Sequence, residues 1–197
     1  MYRLAILLFA LSFTAPVSAG SKVKVALKTS EGTIVVAVDI GRAPITANNF
    51  LAYVDQRKFD GTSFYRAAPA RGNRSIGLIQ GGIRRAAYRS LLPIAHEPTS
   101  KTGLRHVDGA ISMARREPGS AMGDFFILVG ASPAMDARPG ASGDNAGYAV
   151  FGRVVSGMPV VKRILAARTW PGGAGAMKDQ LIQKPVQILE AKRVDRG

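Results

Sequence analysis

Few side chains in this sequence could carry out catalysis. The chain has 197 residues, no cysteine, and two histidines, His96 and His106. This composition excludes disulfides, thiolate nucleophiles and Cys-ligated metals, and two imidazoles cannot form a three-histidine zinc site. We find no spacing that places either histidine in a Ser-His-Asp hydrolase, so we interpret both as structural. No Walker-type phosphate loop is present, and we predict an activity that needs no metal and no cofactor.

Short motifs occur in a characteristic order along the chain. They are Ala43–Phe50, Phe59–Arg66, Ile79–Gly82, Gly109–Ala114, Phe125–Ile127 and Tyr148–Val154. Any one of them would be a weak signal, but their order and the spacing from Ser112 to Phe125 resemble the cyclophilin family of peptidyl-prolyl cis-trans isomerases. The resemblance extends over roughly Val23 to Val194.

The resemblance implies a mainly β fold, a closed antiparallel eight-stranded β-barrel capped by two α-helices, with the substrate groove on its outer face. It implies that Arg66 and Gln80 are catalytic. It also implies a set of substrate-binding residues: Phe64, Leu78, Ala114, Arg115, Asp124, Phe126, Met135 and Tyr148.

The chemistry that such a groove must perform is rotation about an amide bond. The barrier of about 18–20 kcal/mol comes from resonance between the nitrogen lone pair and the carbonyl, so a catalyst must favour the twisted amide in which that resonance is lost. A fixed guanidinium could donate a hydrogen bond to the amide nitrogen, and Arg66 is the candidate donor. Leu78, Phe126 and Met135 would hold the proline ring, while Gln80 would orient Arg66 or bind the peptide backbone.

Several positions depart from the family pattern. Gly77 stands where an aromatic pocket wall is usual, and the segment between Arg66 and Gln80 is about six residues longer through Ala70–Ser75, so part of the pocket could be missing or supplied by that loop. Asp124 replaces a customary Gln and could pair with Arg66. The alternative is that Asp124 faces solvent or binds Arg115, which itself stands where Asn is common.

The hydropathy pattern predicts the elements that must position these residues. Alternating residues predict a hairpin of strands 23–29 and 33–38, and helical spacing predicts helices at 44–56 and 158–167. Further strands are predicted at 63–67, 78–80, 110–114, 125–129, 148–154 and 186–194. The two-residue period of a strand puts Phe125 and Phe126 on opposite faces; residue matching places Phe126 in the groove and Phe125 in the core.

The first 19 residues resemble a secretory signal peptide. Arg3 supplies a positive start, Leu4–Phe13 forms a short apolar run, and Val17-Ser18-Ala19 fits the small-residue cleavage rule. We therefore predict a signal peptide at 1–19, cleavage near Ala19, one isomerase domain at 20–197, and a periplasmic or secreted location. The alternatives are an uncleaved membrane anchor and a wrongly assigned translation start.

The formal charge of +14, from 27 basic and 13 acidic residues, is spread along the chain without a basic run interleaved with aromatic residues. The sequence therefore predicts no nucleic-acid partner, weak electrostatic contact with anionic envelope surfaces, and a monomer acting on proline-containing unfolded or flexible polypeptides. Two other hypotheses remain at this stage: a catalytically weak cyclophilin-fold binding module or chaperone of the envelope, and a basic envelope-binding protein that uses the barrel only as a scaffold.

Overall fold

The computed structural model describes residues 22–84 and 86–194. The strands are β1 (Lys22–Thr29), β2 (Gly32–Asp39), β3 (Thr62–Ala70), β4 (Asn73–Gly82), β5 (Ala110–Met113), β6 (Asp124–Val129), β7 (Ala149–Ser156), β8 (Thr169–Trp170) and β9 (Leu181–Arg193). The helices are α1 (Pro44–Asp55), the short α2 (Thr99–Thr102) and α3 (Met158–Leu165). The predicted signal peptide at 1–19 lies outside the described residues.

Eight of the strands form a closed antiparallel barrel. Their order is β1-β2-β7-β5-β6-β4-β3-β9, and β9 pairs with β1 to complete the ring. The two-residue strand β8 pairs only with the beginning of β9. The predicted fold class is confirmed, although β8 and α2 were not anticipated, β4 begins five residues before its predicted start and β9 begins at Leu181 instead of Val186.

Phenylalanine rings from α1, from the turn after it and from the strands pack together in the barrel core. Phe50 of α1 packs on Phe59, Phe125 and Phe151 with ring centroids 5.0 to 5.4 Å apart, and Phe64 meets Phe125 edge to face. All five rings are fully buried. Helix α1 packs on β2, β7 and β9, and α3 packs on β2, β3, β4 and β6.

A distant carboxylate completes the beginning of α1. The capping residue Ala43 has no side-chain acceptor, and Pro44 supplies the fixed backbone angle of a first helical position. The buried Glu97 accepts hydrogen bonds from the backbone N–H and the hydroxyl of Thr46, both at 2.7 Å. Its negative charge also suits the positive end of the helix dipole.

The extra residues between Arg66 and Gln80 lengthen the β3–β4 hairpin. Ala70 pairs with Asn73 across a turn in which Gly72 has a φ of 77°, a conformation that glycine adopts without strain. The side chains from Arg71 to Ser75 are exposed. None of the helices in the described part of the chain is long and apolar enough to cross a membrane.

Candidate active site

A groove of about 880 Å³ lies beside strands β3, β4 and β6 on the outer face of the barrel. Nine of the ten predicted site residues line it: Arg66, Gln80, Leu78, Ala114, Arg115, Asp124, Phe126, Met135 and Tyr148. Phe64 is the exception, because its ring is fully buried in the core against Phe125. The prediction that Phe64 contacts substrate is therefore wrong.

A β-bulge at Tyr65 explains both the position of Phe64 and that of Arg66. The register of β3 shifts between Phe64 and Arg66 against both neighbouring strands, so that Phe64 lies opposite Gly81 and Arg66 lies opposite Gln80. An extra residue in one strand makes two successive side chains point the same way. Tyr65 and Arg66 both reach the groove, whereas Phe64 and Ala67 on either side point into the core.

Three acceptors hold the guanidinium of Arg66. Its Nε donates to Oε1 of Gln180 at 2.8 Å, its Nη1 to Oε1 of Gln80 at 2.8 Å, and its Nη2 to the carbonyl of Ala176 at 2.6 Å. An arginine has five N–H donors, so one N–H on each Nη nitrogen has no partner among the described residues. Burial lowers the pKa of Arg66, yet arginine remains protonated in proteins.

A hydrogen-bonded chain fixes the orientation of Gln80, which is itself buried. Nε2 of Gln80 donates to the Tyr65 hydroxyl at 2.8 Å, and that hydroxyl donates to Oδ1 of Asp124 at 3.2 Å. Burial and the nearby Asp124 charge raise the pKa of Tyr65, so the hydroxyl keeps its proton. Because an ionised carboxylate only accepts, the Tyr65 proton points to Asp124, and the Gln80 oxygen is left facing Arg66.

Asp124 does not form the ion pair with Arg66 that we considered, nor one with Arg115. Its Oδ1 accepts from the Tyr65 hydroxyl and from the backbone N–H of Arg84, the latter at 2.8 Å. Asp124 is thus linked to Arg66 through Tyr65 and Gln80. The carboxylate contributes to the order of the groove without neutralising the guanidinium directly.

This chain yields a prediction for Tyr65→Phe. Loss of the hydroxyl leaves the buried Gln80 amide N–H without its acceptor, and the amide is then free to turn its nitrogen toward Arg66. We expect kcat/KM to fall roughly tenfold, in keeping with about 1–3 kcal/mol for an unsatisfied buried donor. Isomerase kinetics together with thermal unfolding would test this. Unchanged kinetics in a folded Tyr65→Phe variant would show that the chain does not matter for turnover.

Apolar side chains form a pocket beside the polar chain. Leu78 and Phe126 are almost fully buried, and Met135 and Tyr148 are half-buried. The Tyr148 ring meets the Phe126 ring edge to face at 5.4 Å. A pocket of this kind can take an apolar ring such as that of proline.

No aromatic side chain could replace Gly77 and form the pocket wall that is usual at this position. Its φ is 144°, and a Cβ placed there would lie 2.3 Å from the backbone oxygen of Ala68. The longer hairpin does not replace the wall, because none of residues 70–75 lines the groove. Part of the groove lining comes instead from the segment before β9 and its first residue: Gly173, Ala174, Ala176, Met177 and Leu181.

The guanidinium of Arg115 holds the loop that precedes Tyr148 in the groove lining. Its two Nη groups bind both carboxylate oxygens of Asp144 at 2.8 and 2.9 Å, and its Nε donates to the carbonyl of Gly147 at 2.9 Å. The guanidinium also lies 5.0 Å from the centre of the Tyr148 ring. Such a two-pronged pair is geometrically specific, so Arg115 has a role in holding this loop in addition to lining the groove.

His106 lies behind the pocket in a buried chain. Its Nδ1 lies 2.7 Å from Oδ1 of Asp136, and its Nε2 lies 3.0 Å from the Ser112 hydroxyl. Ser112 is fully buried, so this arrangement cannot attack a substrate. The His106 ring stacks on Phe126 at 6.0 Å. The structural interpretation of His106 fits these contacts, and the sequence spacing did not indicate Asp136 as its partner.

The buried imidazole makes stability depend on pH. Burial lowers the pKa of His106, although the hydrogen bond to Asp136 opposes this effect. As pH falls below the unfolded value of about 6.5, the unfolded chain binds the proton first, so the folded state loses up to about 1.4 kcal/mol per pH unit until the folded pKa is reached. We expect the Tm to fall from pH 7 to pH 5.

Two histidine variants test this explanation. His106→Gln should be less stable but should show a flatter dependence of Tm on pH, whereas His96→Gln should keep the wild-type slope. A slope that survives in His106→Gln would assign the pH dependence to another group.

Sequence reasoning missed the groove residues that come from elsewhere in the chain. Tyr65 could have been found from its place beside Arg66, but only by anticipating the bulge. Gln180 and Ala176 lie more than 100 residues after Arg66 and follow a short Gly-rich stretch that carries no obvious signal. Among the residues that the structure describes, no group of three or more His, Asp or Glu side chains could hold a metal ion.

Comparisons with known proteins identify the family of this chain. Residues 24–193 match the family described as "Cyclophilin type peptidyl-prolyl cis-trans isomerase/CLD". A "Peptidyl-prolyl cis-trans isomerase" of Acinetobacter baylyi is 34% identical over 194 residues, covering 96% of this chain and 94% of its own length. "Peptidyl-prolyl cis-trans isomerase A" of Dickeya dadantii is 34% identical, covering 94% of this chain and 92% of its own.

A solved structure shows the same fold. The crystal structure of a cyclophilin-type peptidyl-prolyl cis-trans isomerase from Cryptosporidium parvum superposes with a TM-score of 0.64 and covers 90% of this chain and all of its own. The two sequences are 17% identical, so this likeness concerns the fold alone.

Proposed function

Because the chain belongs to the family of cyclophilin-type peptidyl-prolyl cis-trans isomerases, which act on proline-containing polypeptides, we propose that it rotates X-Pro amide bonds in exported proteins and so assists their folding. Uncatalysed exchange at such bonds takes tens to hundreds of seconds. That delay is long enough to limit the folding of a newly exported chain.

The catalytic role that we propose for Arg66 follows from its hydrogen bonds. Three acceptors fix the plane of the guanidinium, and one N–H on each Nη remains for a substrate. The proline ring occupies the apolar pocket made by Leu78, Phe126 and Met135. As the amide twists, its nitrogen gains a localised lone pair, which an N–H of Arg66 then binds.

Stabilisation of this kind acts mainly on the twisted state. The planar amide nitrogen is a poor acceptor because its lone pair is delocalised, so the hydrogen bond strengthens only as the bond rotates. The donor is already oriented and charged, which avoids reorganisation during the reaction. No bond breaks and no proton leaves.

The single observation that carries the catalytic proposal is the fixed, charged Arg66 beside an apolar pocket. The test is acceleration of cis-trans exchange in an Ala-Pro tetrapeptide by the purified protein, measured by NMR exchange spectroscopy in the presence of a chelator. We expect exchange on the sub-second scale at micromolar enzyme. The same slow exchange with and without protein would contradict the proposal.

The proposed location rests on residues 1–19. Their charged start, apolar run and small residues at 17 and 19 match a cleaved secretory signal. Expression of the full chain in a bacterium, followed by fractionation and N-terminal sequencing, tests this proposal. A mature protein beginning at Gly20 in the periplasm or medium supports export, whereas retention of Met1–Ala19 on membranes would favour the anchor instead.

We also propose that the protein makes a weak electrostatic contact with anionic envelope surfaces. We propose in addition that it is a monomer. Removal of residues 1–19 would leave a charge of +13, one less than the full chain because only Arg3 is lost. Strand β1 presents Lys22, Lys24 and Lys28 on its exposed face. Each such lysine near an anionic surface contributes about 1 kcal/mol.

Vesicle binding tests the proposed envelope contact. Sedimentation with phosphatidylglycerol vesicles should be salt-sensitive, and replacement of all three β1 lysines by glutamine should weaken it without loss of isomerase activity. Equal binding to neutral vesicles would contradict an electrostatic contact. Sedimentation velocity of the protein alone should give a single species of monomer mass.

A further inference from the structure

The segment Gly172–Gln180, called the clamp loop here, connects β8 to β9 and closes upon itself. The backbone N–H of Gly172 donates to the Asp179 carboxylate at 2.7 Å, and the N–H of Asp179 donates to the Gly172 carbonyl at 2.5 Å. Gly173 has a φ of 85°, and a Cβ there would lie 2.9 Å from the Met177 oxygen. The backbone therefore forms a short closed loop, and position 173 in that loop accommodates only glycine.

The clamp loop contacts Arg66 on two of its three guanidinium nitrogens. Oε1 of Gln180 accepts from Nε, and the carbonyl of Ala176 accepts from Nη2. The backbone carbonyl of Gln180 also accepts from the N–H of Ala67 at 3.0 Å. The loop is thus bound both to the side chain of Arg66 and to the backbone of the next residue in β3.

Gln80 alone would leave Arg66 free to move. A single acceptor on Nη1 permits rotation of the guanidinium about that bond, and a flexible arginine loses rotamer entropy when it is ordered around a substrate. Acceptors on all three nitrogens fix the plane before substrate binds. This preorganisation is the condition under which an electrostatic donor is most effective.

We propose that the clamp loop positions Arg66 for the isomerase reaction and that Gln180 is a positioning residue acting through Arg66. This inference rests on the proposed catalytic role of Arg66. It assigns a function to a segment that also lines the groove with Gly173, Ala174, Ala176 and Met177. Loosening the loop lowers the rate of rotation while leaving the apolar pocket and the binding of the proline ring nearly unchanged.

The test uses a pair of glutamines in the same region. Gln180→Met keeps the length of the side chain but removes the acceptor for Nε. Gln183→Met is the control, because the Gln183 side chain donates to the carbonyl of Thr169 and is not among the acceptors of Arg66. We expect Gln180→Met to lower kcat about tenfold, the effect of one hydrogen bond to a charged group, with KM changed less than twofold. Gln183→Met should match the wild type in both constants.

A double-mutant cycle with Arg66→Ala decides whether Gln180 acts through Arg66. In the Arg66→Ala background, Gln180→Met should cause no further loss. An equal tenfold loss in that background would overturn the inference, as would wild-type kcat in folded Gln180→Met. If Arg66→Ala itself is fully active, the proposed role of Arg66 fails; if Arg66→Ala is impaired and Gln180→Met is not, only the clamp is refuted.

A spectroscopic measurement separates positioning from general stability. The Nε–H proton of Arg66 is held by Gln180, so it should give a slowly exchanging resonance in a 15N-labelled protein at neutral pH. That resonance should disappear in Gln180→Met and persist in Gln183→Met, with both variants keeping the wild-type Tm within a few degrees. Persistence of the resonance in Gln180→Met would contradict the proposed clamp.

Asp179→Ala provides a second test of the clamp loop, in which Gln180 and Ala176, the residues that contact Arg66, are unchanged. It removes the carboxylate that closes the loop on Gly172 and touches neither Arg66 nor the pocket. We expect a smaller fall in kcat, about threefold, at constant KM, with Asp179→Asn recovering most of it because the amide oxygen still accepts. A rise in KM with unchanged kcat would show that the loop serves binding and would refute positioning.

Discussion

Arg66→Ala is expected to lower kcat/KM for a proline peptide by about 100- to 1000-fold, the usual effect of removing one preorganised donor to the transition state. The variant loses the N–H groups that bind the twisted amide nitrogen. The side chain is half-buried, and its partners are two amide oxygens and one carbonyl. The barrel should therefore stay folded, with a Tm within several degrees of the wild type.

Two further variants make the Arg66 result specific. Arg66→Lys should recover only a small part of the activity, because a flexible ammonium cannot satisfy three acceptors and still present a donor to the substrate. Arg153→Ala removes an exposed arginine of β7 that does not line the groove, and it should leave kcat/KM unchanged. A folded Arg66→Ala variant with wild-type turnover would refute the catalytic role.

Phe126→Ala is expected to have the largest effect on binding. The ring is almost fully buried and packs between the pocket, His106 and Tyr148. Its removal should cost about 3–5 kcal/mol of folding stability, as for other buried phenylalanines. It should also raise KM at least tenfold, because burying a proline-sized apolar ring is worth more than about 1.4 kcal/mol.

The neighbouring Phe125 provides the matched control for Phe126. It points into the core, where its ring packs on Phe50, Phe59 and Phe64, and it does not reach the groove. Phe125→Ala should lose a similar amount of stability yet keep the wild-type KM when assayed at a temperature where it is folded. Equal KM values in the two variants would show that Phe126 supports the fold and does not hold the substrate.

The barrel was predicted from the resemblance to cyclophilins, and the hydropathy pattern predicted most of its strands. The alternation in β1 and β2 and the opposed faces of Phe125 and Phe126 follow directly from the two-residue period of a strand. Phe64 shows the limit of that rule. Alternation puts residues 64 and 66 on one face, but the bulge at Tyr65 separates them, and nothing in the local hydropathy reveals a bulge.

The surroundings of Arg66 were beyond sequence reasoning for a different reason. The groove residues of β4 and β6 belong to recognisable motifs, whereas Gln180 and Ala176 lie in a segment whose conformation depends on its own closure by Gly172 and Asp179. For Asp124, sequence reasoning left two alternatives: a direct pair with Arg66, or a carboxylate that faces solvent or binds Arg115. In the structure, Asp124 is linked to Arg66 through hydrogen bonds of Tyr65 and Gln80. A sequence does not specify the partners or directions of such hydrogen bonds.

The closure of the barrel by β9 has a consequence for when the enzyme becomes competent during its own folding. Strand β9 follows the other eight strands in the chain, yet it pairs with β1, β3 and β8, and two of the three acceptors that hold Arg66 lie just before it. Pairings so distant in sequence form slowly, typically over milliseconds to seconds. A nascent chain in which β9 has not yet docked therefore contains the groove residues of β3, β4 and β6, but the guanidinium of Arg66 is not yet ordered. Activity recovered during refolding should lag behind the early gain of β structure and rise with the docking of this final strand.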